Sequence, residues 1–394
     1  MRKYIIVLVL FFVISIFVNA EDSNPILSAM QKNFARGSLS TKIQVLQDSA
    51  EYPDINMGPL YGEALDFILN NSKNLASDLS ARELTILVVR LSGINGYNDA
   101  SPILWQLFNT YEDEQVQVEI LGSLAVIAPN PMVIAELNKW LKLQNNRFRS
   151  GLVVPEQVVS EAVVTLGELG DSSSFPIVFS TGSAKYSDDI TYKANIALKN
   201  LGGSYSQSLV EVIKNSVPLD KISALNLAIA DSEMPIEEKG GLFKMALDIG
   251  LVVKVENPQY EKYIRELRYS AIRQLSLLKW ADASELIIEH FNLVILEYER
   301  GISPKSTVLE AISCLGSIGT HEAAARLTLY LEFMNTYMEN GQGTDLQISL
   351  AVMKNIGIIG DSVAFDDLLY SGYLDYPVSV KKAAREALNN LKSR

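Results

Sequence analysis

The feature that most constrains this chain is a short unit that recurs along most of its length. Its last copy, Val380-Lys381-Lys382-Ala383-Ala384-Arg385-Glu386-Ala387-Leu388-Asn389-Asn390-Leu391, sets apolar or small residues at 380, 383, 384, 387, 388 and 391. That spacing draws one stripe along an α-helix. The opposite face, Lys381, Lys382, Arg385, Glu386, Asn389 and Asn390, suits a capping helix whose outer side meets water. In a middle copy, Val158, Val159, Ala162, Val163, Val164, Leu166 and Leu169 leave almost no polar face, as a helix covered on both sides requires.

The copies align on their ends. Leu166-Gly167-Glu168-Leu169-Gly170-Asp171, Leu198-Lys199-Asn200-Leu201-Gly202-Gly203, Leu315-Gly316-Ser317-Ile318-Gly319-Thr320 and Ile356-Gly357-Ile358-Ile359-Gly360-Asp361 share one pattern. Glycine supplies the permissive backbone at a helix end, and the Asp or Thr after it can cap the next helix. Poorer copies end near Ile94, Ile127, Ile229 and Leu278. The nine ends fall at spacings of roughly 28 to 49 residues, which predicts an all-α superhelix of about nine helical pairs.

These motifs resemble the HEAT-repeat family, whose second helix carries a Val-Arg-x-x-Ala-x-x-Ala-Leu pattern followed by a Gly-Asp turn. Val380-Lys381 stands where Val-Arg is usual, Gly170-Asp171 and Gly360-Asp361 keep the turn, and Leu277-Leu278-Lys279-Trp280 lacks it. The resemblance covers most of residues 80 to 394. It implies an α-α superhelix, a HEAT-like solenoid, with a habit of binding partners and with no catalytic residues to carry over.

The N-terminus predicts a destination. Arg2 and Lys3 precede an apolar run from Tyr4 to Val18, and Val18-Asn19-Ala20 offers small residues before Glu21, the pattern of a secretory signal peptide cleaved after Ala20. The run is shorter than the roughly 20 residues that span a bilayer, which favours cleavage over the rival reading of an uncleaved N-terminal anchor, and no later segment is long and apolar enough to cross one. Residues 1–20 are therefore expected to be a signal peptide, 21–80 an atypical N-terminal helical capping region, and 81–394 the solenoid. A periplasmic location in a bacterium follows from that reading.

Charge narrows the partners. The formal net charge is -12. Such a balance disfavours nucleic acid, because phosphate neutralisation needs a cationic surface. One local cluster runs the other way: Lys139, Lys142, Arg147 and Arg149, interleaved with Trp140 and Phe148. It reads as a solvated helix end or as a docking patch for an acidic protein or an anionic headgroup.

Candidate chemistry is sparse. Cys314, the chain's single cysteine, occupies the stripe position of Ala387, so a packed thiol is expected. His290 and His321 lack a second ligand at metal spacing. The acidic runs Glu112-Asp113-Glu114, Asp188-Asp189, Glu237-Glu238 and Asp366-Asp367 lack the alternation of a calcium loop. No metal, cofactor or catalytic residue is expected.

The segments between repeats vary most: Gln144 to Pro155, Ser180 to Asp189, Gly250 to Glu261, Asn335 to Asp345 and Tyr370 to Pro377. Stacking should gather them along one edge. They carry Phe148, Tyr186, Tyr260, Tyr337, Tyr370, Tyr373 and Tyr376, which are either partner contacts or pins that hold each loop on its neighbours. The expectation is an exported, non-enzymatic scaffold that binds other proteins of the cell envelope. The alternative is an enzyme or small-ligand binder with a site in the solenoid groove.

Overall fold

The computed structural model describes residues 24–75, 78–254 and 258–392. The expected signal segment 1–20, with its cleavage point at Ala20, lies outside the described residues. Among these residues the chain is all-α, built from helical pairs stacked in a solenoid-like arrangement. It divides into two compact units, one ending at Gly202 and the other starting at Gly203.

In the first unit the pairs are α1 (Pro25–Arg36) with α2 (Leu39–Ser49), α3 (Gly58–Leu75) with α4 (Leu79–Ile94), and α5 (Ser101–Thr110) with α6 (Glu114–Val126). They continue with α7 (Pro131–Arg149) and α8 (Glu156–Leu169), then α9 (Phe175–Ser183) and α10 (Asp188–Asn200). Odd helices pack on successive odd helices and even on even, so the unit has two layers. The second unit repeats the plan with α11 (Tyr205–Asn215), α12 (Pro218–Ala230), α13 (Ile236–Val252), α14 (Pro258–Leu278), α15 (Ser284–Glu299) and α16 (Lys305–Ile318). Its last two pairs are α17 (His321–Glu339), α18 (Leu346–Ile359), α19 (Phe365–Ser371) and α20 (Val378–Lys392).

The nine expected repeat ends each fall within one residue of the end of an even helix, from α4 to α20. The tenth pair is α1 with α2, whose stripe is too short and polar to register in the sequence. The turn chemistry is as read in three of the four clear copies; in the fourth, α10 ends at Asn200, Leu201 is extended, and Gly203 rather than Gly202 takes a positive φ, 93°. Gly170, Gly319 and Gly360 adopt φ of 67°, 66° and 71°, a left-handed conformation glycine enters without strain. Asp171, Asp361 and Thr320 then cap the following helical turns through Ser173 N, Val363 N and Ala323 N.

A second glycine in the same motif does different work. A Cβ at Gly167 would lie 2.8 Å from Ala197 Cα, and one at Gly357 would lie 2.9 Å from Ala387 Cα. These positions let α8 approach α10, and α18 approach α20, backbone to side-chain root. Gly93 meets Ser123 of the next even helix in the same way, at 3.0 Å.

The two units share details that a generic helix stack would not require. Lys42 is buried and donates to Phe34 O and Ala35 O at the end of α1; Lys221 is buried and donates to Ile213 O and Lys214 O at the end of α11. Tyr97 lies against Gly62 of α3, and Trp280 against Gly240 of α13. Short 3-10 turns precede α5 and α15 (Asn98–Ala100, Ala281–Ala283) and again α9 and α19 (Ser172–Ser174, Ser362–Ala364). In the last two pairs the register is constant at 190 residues: 131 to 321, 156 to 346, 175 to 365. Among the described residues the two units are built on the same plan of five helical pairs.

The units differ inside as well. In the second, Arg268 of α14 is 3% exposed and forms a 2.6 Å ion pair with Glu297 of α15, itself 12% exposed. Glu297 also accepts from the hydroxyls of Tyr269 and Ser303 at 3.1 and 3.0 Å. His290 lies fully buried in α15, edge-on to Tyr269, and its Nδ1 has no hydrogen-bond partner among the described residues. Burial, with a contribution from the Arg268 charge, holds its pKa down to about 3.

An unfolded imidazole protonates near 6.5, so between that pH and about 3 the unfolded chain binds a proton that the folded one refuses. Stability is complete above about 6.5 and falls as the pH drops, by at most ~1.4 kcal/mol per pH unit from this group. Replacing His290→Phe is expected to flatten the decline in denaturant midpoint between pH 6.5 and 4.5. Parallel declines for both proteins would contradict it.

Candidate functional site

The even-helix face of the first unit carries two adjoining grooves. One, of about 390 Å3, is lined by Val118, Glu156, Ser160, Glu161, Asp189 and Lys193, among others, of α6, α8 and α10. The other, of about 350 Å3, is lined by Arg90, Gly93, Glu119, Gly122, Val126 and Glu161, among others, of α4, α6 and α8. Val118 and Glu161 belong to both, so the grooves meet across α6 and α8.

The local sequence explains the relief. Even helices stand close because Gly93 and Gly167 have no Cβ, and Gly122 leaves open floor between them. Only the Glu161 carboxylate approaches Gly122, with Oε1 3.7 Å from where its Cβ would sit. The longer side chains then form the rims. Arg90 pairs with Glu119 at 2.5 Å across α4 and α6, and Arg82 with Asp113 at 2.8 Å. Lys193 bridges Asp189 at 2.9 Å and the Ser160 hydroxyl at 2.9 Å.

Glu161 has no ion pair or hydrogen bond among the described residues. Burial raises its carboxyl pKa; the Lys193 charge opposes that shift and the Glu119 charge adds to it. A half-buried, unpaired carboxylate thus sits where the grooves meet, its charge only partly offset. Such a group favours a ligand that supplies a positive charge or hydrogen-bond donors.

The aromatic residues singled out from the sequence separate into two kinds. Tyr186 is 9% exposed and its hydroxyl donates to Asn145 Oδ1 at 3.0 Å, while Asn145 Nδ2 donates to Thr181 Oγ1 at 3.0 Å. Tyr376 is 3% exposed and donates to Asn335 Oδ1 at 3.1 Å, while Asn335 Nδ2 donates to Asp367 O. Both tyrosines pin a loop to the preceding odd helix rather than facing a partner, because each buried asparagine needs an acceptor filled and a donor placed. Phe148, half-buried, stacks on Tyr186 with ring centroids 3.9 Å apart. Tyr260, also half-buried, lies against Tyr263 at the start of α14.

Tyr337, Tyr370 and Tyr373 are exposed, the last at 79%. Phe333 and Tyr337 form a ring pair on α17 with centroids 4.6 Å apart, and desolvation together with the nearby Glu339 carboxylate of α17 raises the pKa of the Tyr370 hydroxyl on α19. The odd-helix surface of α17 and α19 is therefore apolar and aromatic, with Leu329 also exposed. The connecting loops are shorter than expected. α7 runs to Arg149 and α17 to Glu339, because Leu141, Gln144 and Asn145, and Leu331, Met334 and Asn335, keep the helical stripe buried.

Cys314 is fully buried with Sγ 3.7 Å from Ile272 O, and burial pushes its thiol pKa up to about 12. The acidic runs serve helix starts: Asp113 caps α6, and Asp188-Asp189, Glu237-Glu238 and Asp366-Asp367 occupy first turns, where the helix dipole favours them. Among the described residues no His, Cys, Asp and Glu side chains cluster as a metal site, and no helix is long and apolar enough to cross a membrane. Sequence alone does not assign residues to the groove, because its lining comes from four helices spread across more than a hundred residues. The available signal was Glu161, the acidic residue inside the otherwise near-apolar run from Val158 to Leu166.

Compared with models of known protein families and with curated proteins, the chain matches none.

Proposed function

We propose that this protein is an exported, non-enzymatic α-solenoid of the HEAT type that binds other proteins of the cell envelope, with a periplasmic location in a bacterium. The observation that carries this reading is the continuous pair of grooves along the even helices of the first unit, centred on Glu161. An open groove crossing successive repeats fits an extended polypeptide, which can contact each helix in turn through many modest interactions. The N-terminal apolar run with its small residues before Glu21 supports export. The groove lies open, and Arg90 already engages Glu119, so the Glu119–Glu161 carboxylates lack the enclosure that acid-base catalysis uses.

The test uses Gly122, where a side chain has room without meeting the core. Gly122→Phe is expected to leave the helical signal and thermal midpoint near wild type while filling the groove floor. Cross-linking in intact cells followed by affinity recovery should yield a reproducible partner with the wild-type chain, reduced about tenfold or more with Gly122→Phe. Equal recovery by both chains would remove the groove from the account.

A further inference from the structure

The last two pairs of each unit share buried positions and differ on one surface. α7 and α17 each span 19 residues and bury the same positions, Leu137, Leu141 and Asn145 in one, Leu327, Leu331 and Asn335 in the other. Their exposed stripe differs. Lys139, Leu143 and Arg147, at four-residue steps along α7, correspond to Leu329, Phe333 and Tyr337 on α17. Lys142 corresponds to Glu332, Arg149 to Glu339, and Ser180 and Ser183 of α9 to Tyr370 and Tyr373 at α19.

The difference reverses the sign of the surface. α7 and α9 together carry Lys139, Lys142, Arg147 and Arg149 against Glu136, a balance of +3. α17 and α19 carry Arg326 against Glu322, Glu332, Glu339, Asp366 and Asp367, a balance of -4. A +3 surface in a chain of net charge -12 runs against the rest of the molecule. Both faces also expose apolar area, Leu143, Leu152 and Val153 beside the cations and Leu329, Phe333 and Tyr337 beside the carboxylates.

We propose that these two faces bind each other between molecules: the cationic α7 face of one copy docks on the aromatic, acidic α17–α19 face of a second copy. Charge complementarity selects this occupant. Lys142 meets a surface holding Glu332 and Glu339, and Arg147 meets the ring faces of Phe333 and Tyr337, where a guanidinium is favoured by cation–π attraction. Each copy presents one face of each kind. Two copies can therefore satisfy both pairings in a closed two-fold dimer or pass them head to tail along a chain, and the mass reached by the wild type distinguishes these. The even-helix groove plays no part, so this proposal stands or falls separately from the function proposed above.

Sedimentation velocity of the purified chain tests it with two surface variants, Lys142→Glu/Arg147→Glu and Glu332→Arg/Glu339→Arg. The wild type is expected to gain mass with concentration and to lose it as salt is raised to about 0.5 M, where exposed charges are screened. The first variant turns the α7 face to -1 against -4, and the second brings the α17–α19 face to 0 against +3, so each alone should associate at least about tenfold more weakly. Mixing the two variants brings the intact α7 face of the second together with the intact α17–α19 face of the first, so the mixture should associate where neither variant does alone. Circular dichroism confirms that each variant is folded. A wild type that stays monomeric throughout, a single-face variant that associates like wild type, or a mixture that fails to associate would each overturn the proposal. So would a monomeric wild type whose α7 face binds phosphatidylglycerol vesicles, since that face would then serve lipid.

Discussion

Replacing Glu297→Leu is expected to destabilise the second unit by about 3–5 kcal/mol, the cost of leaving a buried charge without its partner. Arg268, 3% exposed, would keep its guanidinium inside the helix stack with the 2.6 Å pair removed. The Tyr269 and Ser303 hydroxyls would lose their acceptor in the same step. The origin of the loss can be checked with the double variant Arg268→Met/Glu297→Leu. Two apolar side chains remove the uncompensated charge, so the double variant should recover most of the midpoint lost by Glu297→Leu. Chemical denaturation of the three proteins decides it. A double variant less stable than the single would show that the pair stabilises by its attraction rather than by avoiding a stranded charge.

The second large effect concerns the glycines that bring even helices together. Gly357→Leu would drive a side chain into the Ala387 backbone, whose Cα lies 2.9 Å from the position of the new Cβ. Overpacking against side chains costs about 1–3 kcal/mol, and here a backbone must move, so the loss should reach the upper end or beyond. Gly241→Ala supplies the opposite sign. That glycine lies in α13 with nothing within 4 Å of an added Cβ, and alanine should stabilise it by about 0.5–1 kcal/mol through helix propensity. Thermal midpoints of both variants provide the measurement. A neutral Gly357→Leu would mean that α18 and α20 can separate freely.

These effects explain how far the sequence could be read. The stripe at Val380, Ala383, Ala384, Ala387 and Leu391 is buried as its spacing implies, and the Gly170 and Gly360 turns sit where the motif put them. Periodicity and turn chemistry are local, so one strand of text contains them. Gly167 and Gly357 were harder to interpret because their role depends on Ala197 and Ala387, each in the following even helix. Sequence alone leaves Tyr186 and Tyr376 open between partner contact and loop pin, because the Asn145 and Asn335 side chains that hold them lie 41 residues away. The groove needed the fold most of all. Val118, Glu161 and Lys193 share no sequence pattern, and only the stacking of α6, α8 and α10 brings them together.

The likeness of the two units likewise emerges from geometry. The buried Lys42 and Lys221, each reaching carbonyls eight and seven residues earlier, are surrounded by different residues yet perform the same closure. Core positions tolerate apolar exchange if volume is kept, while a buried ammonium keeps its partners because an unsatisfied one is costly. Shared closure with differing surfaces lets two stacks of one plan present different faces.

The most direct test of the central claim is photo-crosslinking from Val118, which lines both grooves. A photoreactive side chain there, activated in intact cells, is predicted to capture a discrete protein adduct that a probe at exposed Met132 of α7 does not capture and that Gly122→Phe abolishes. Absence of any adduct specific to Val118, or one that persists in Gly122→Phe, would contradict a polypeptide-binding groove on the even-helix face.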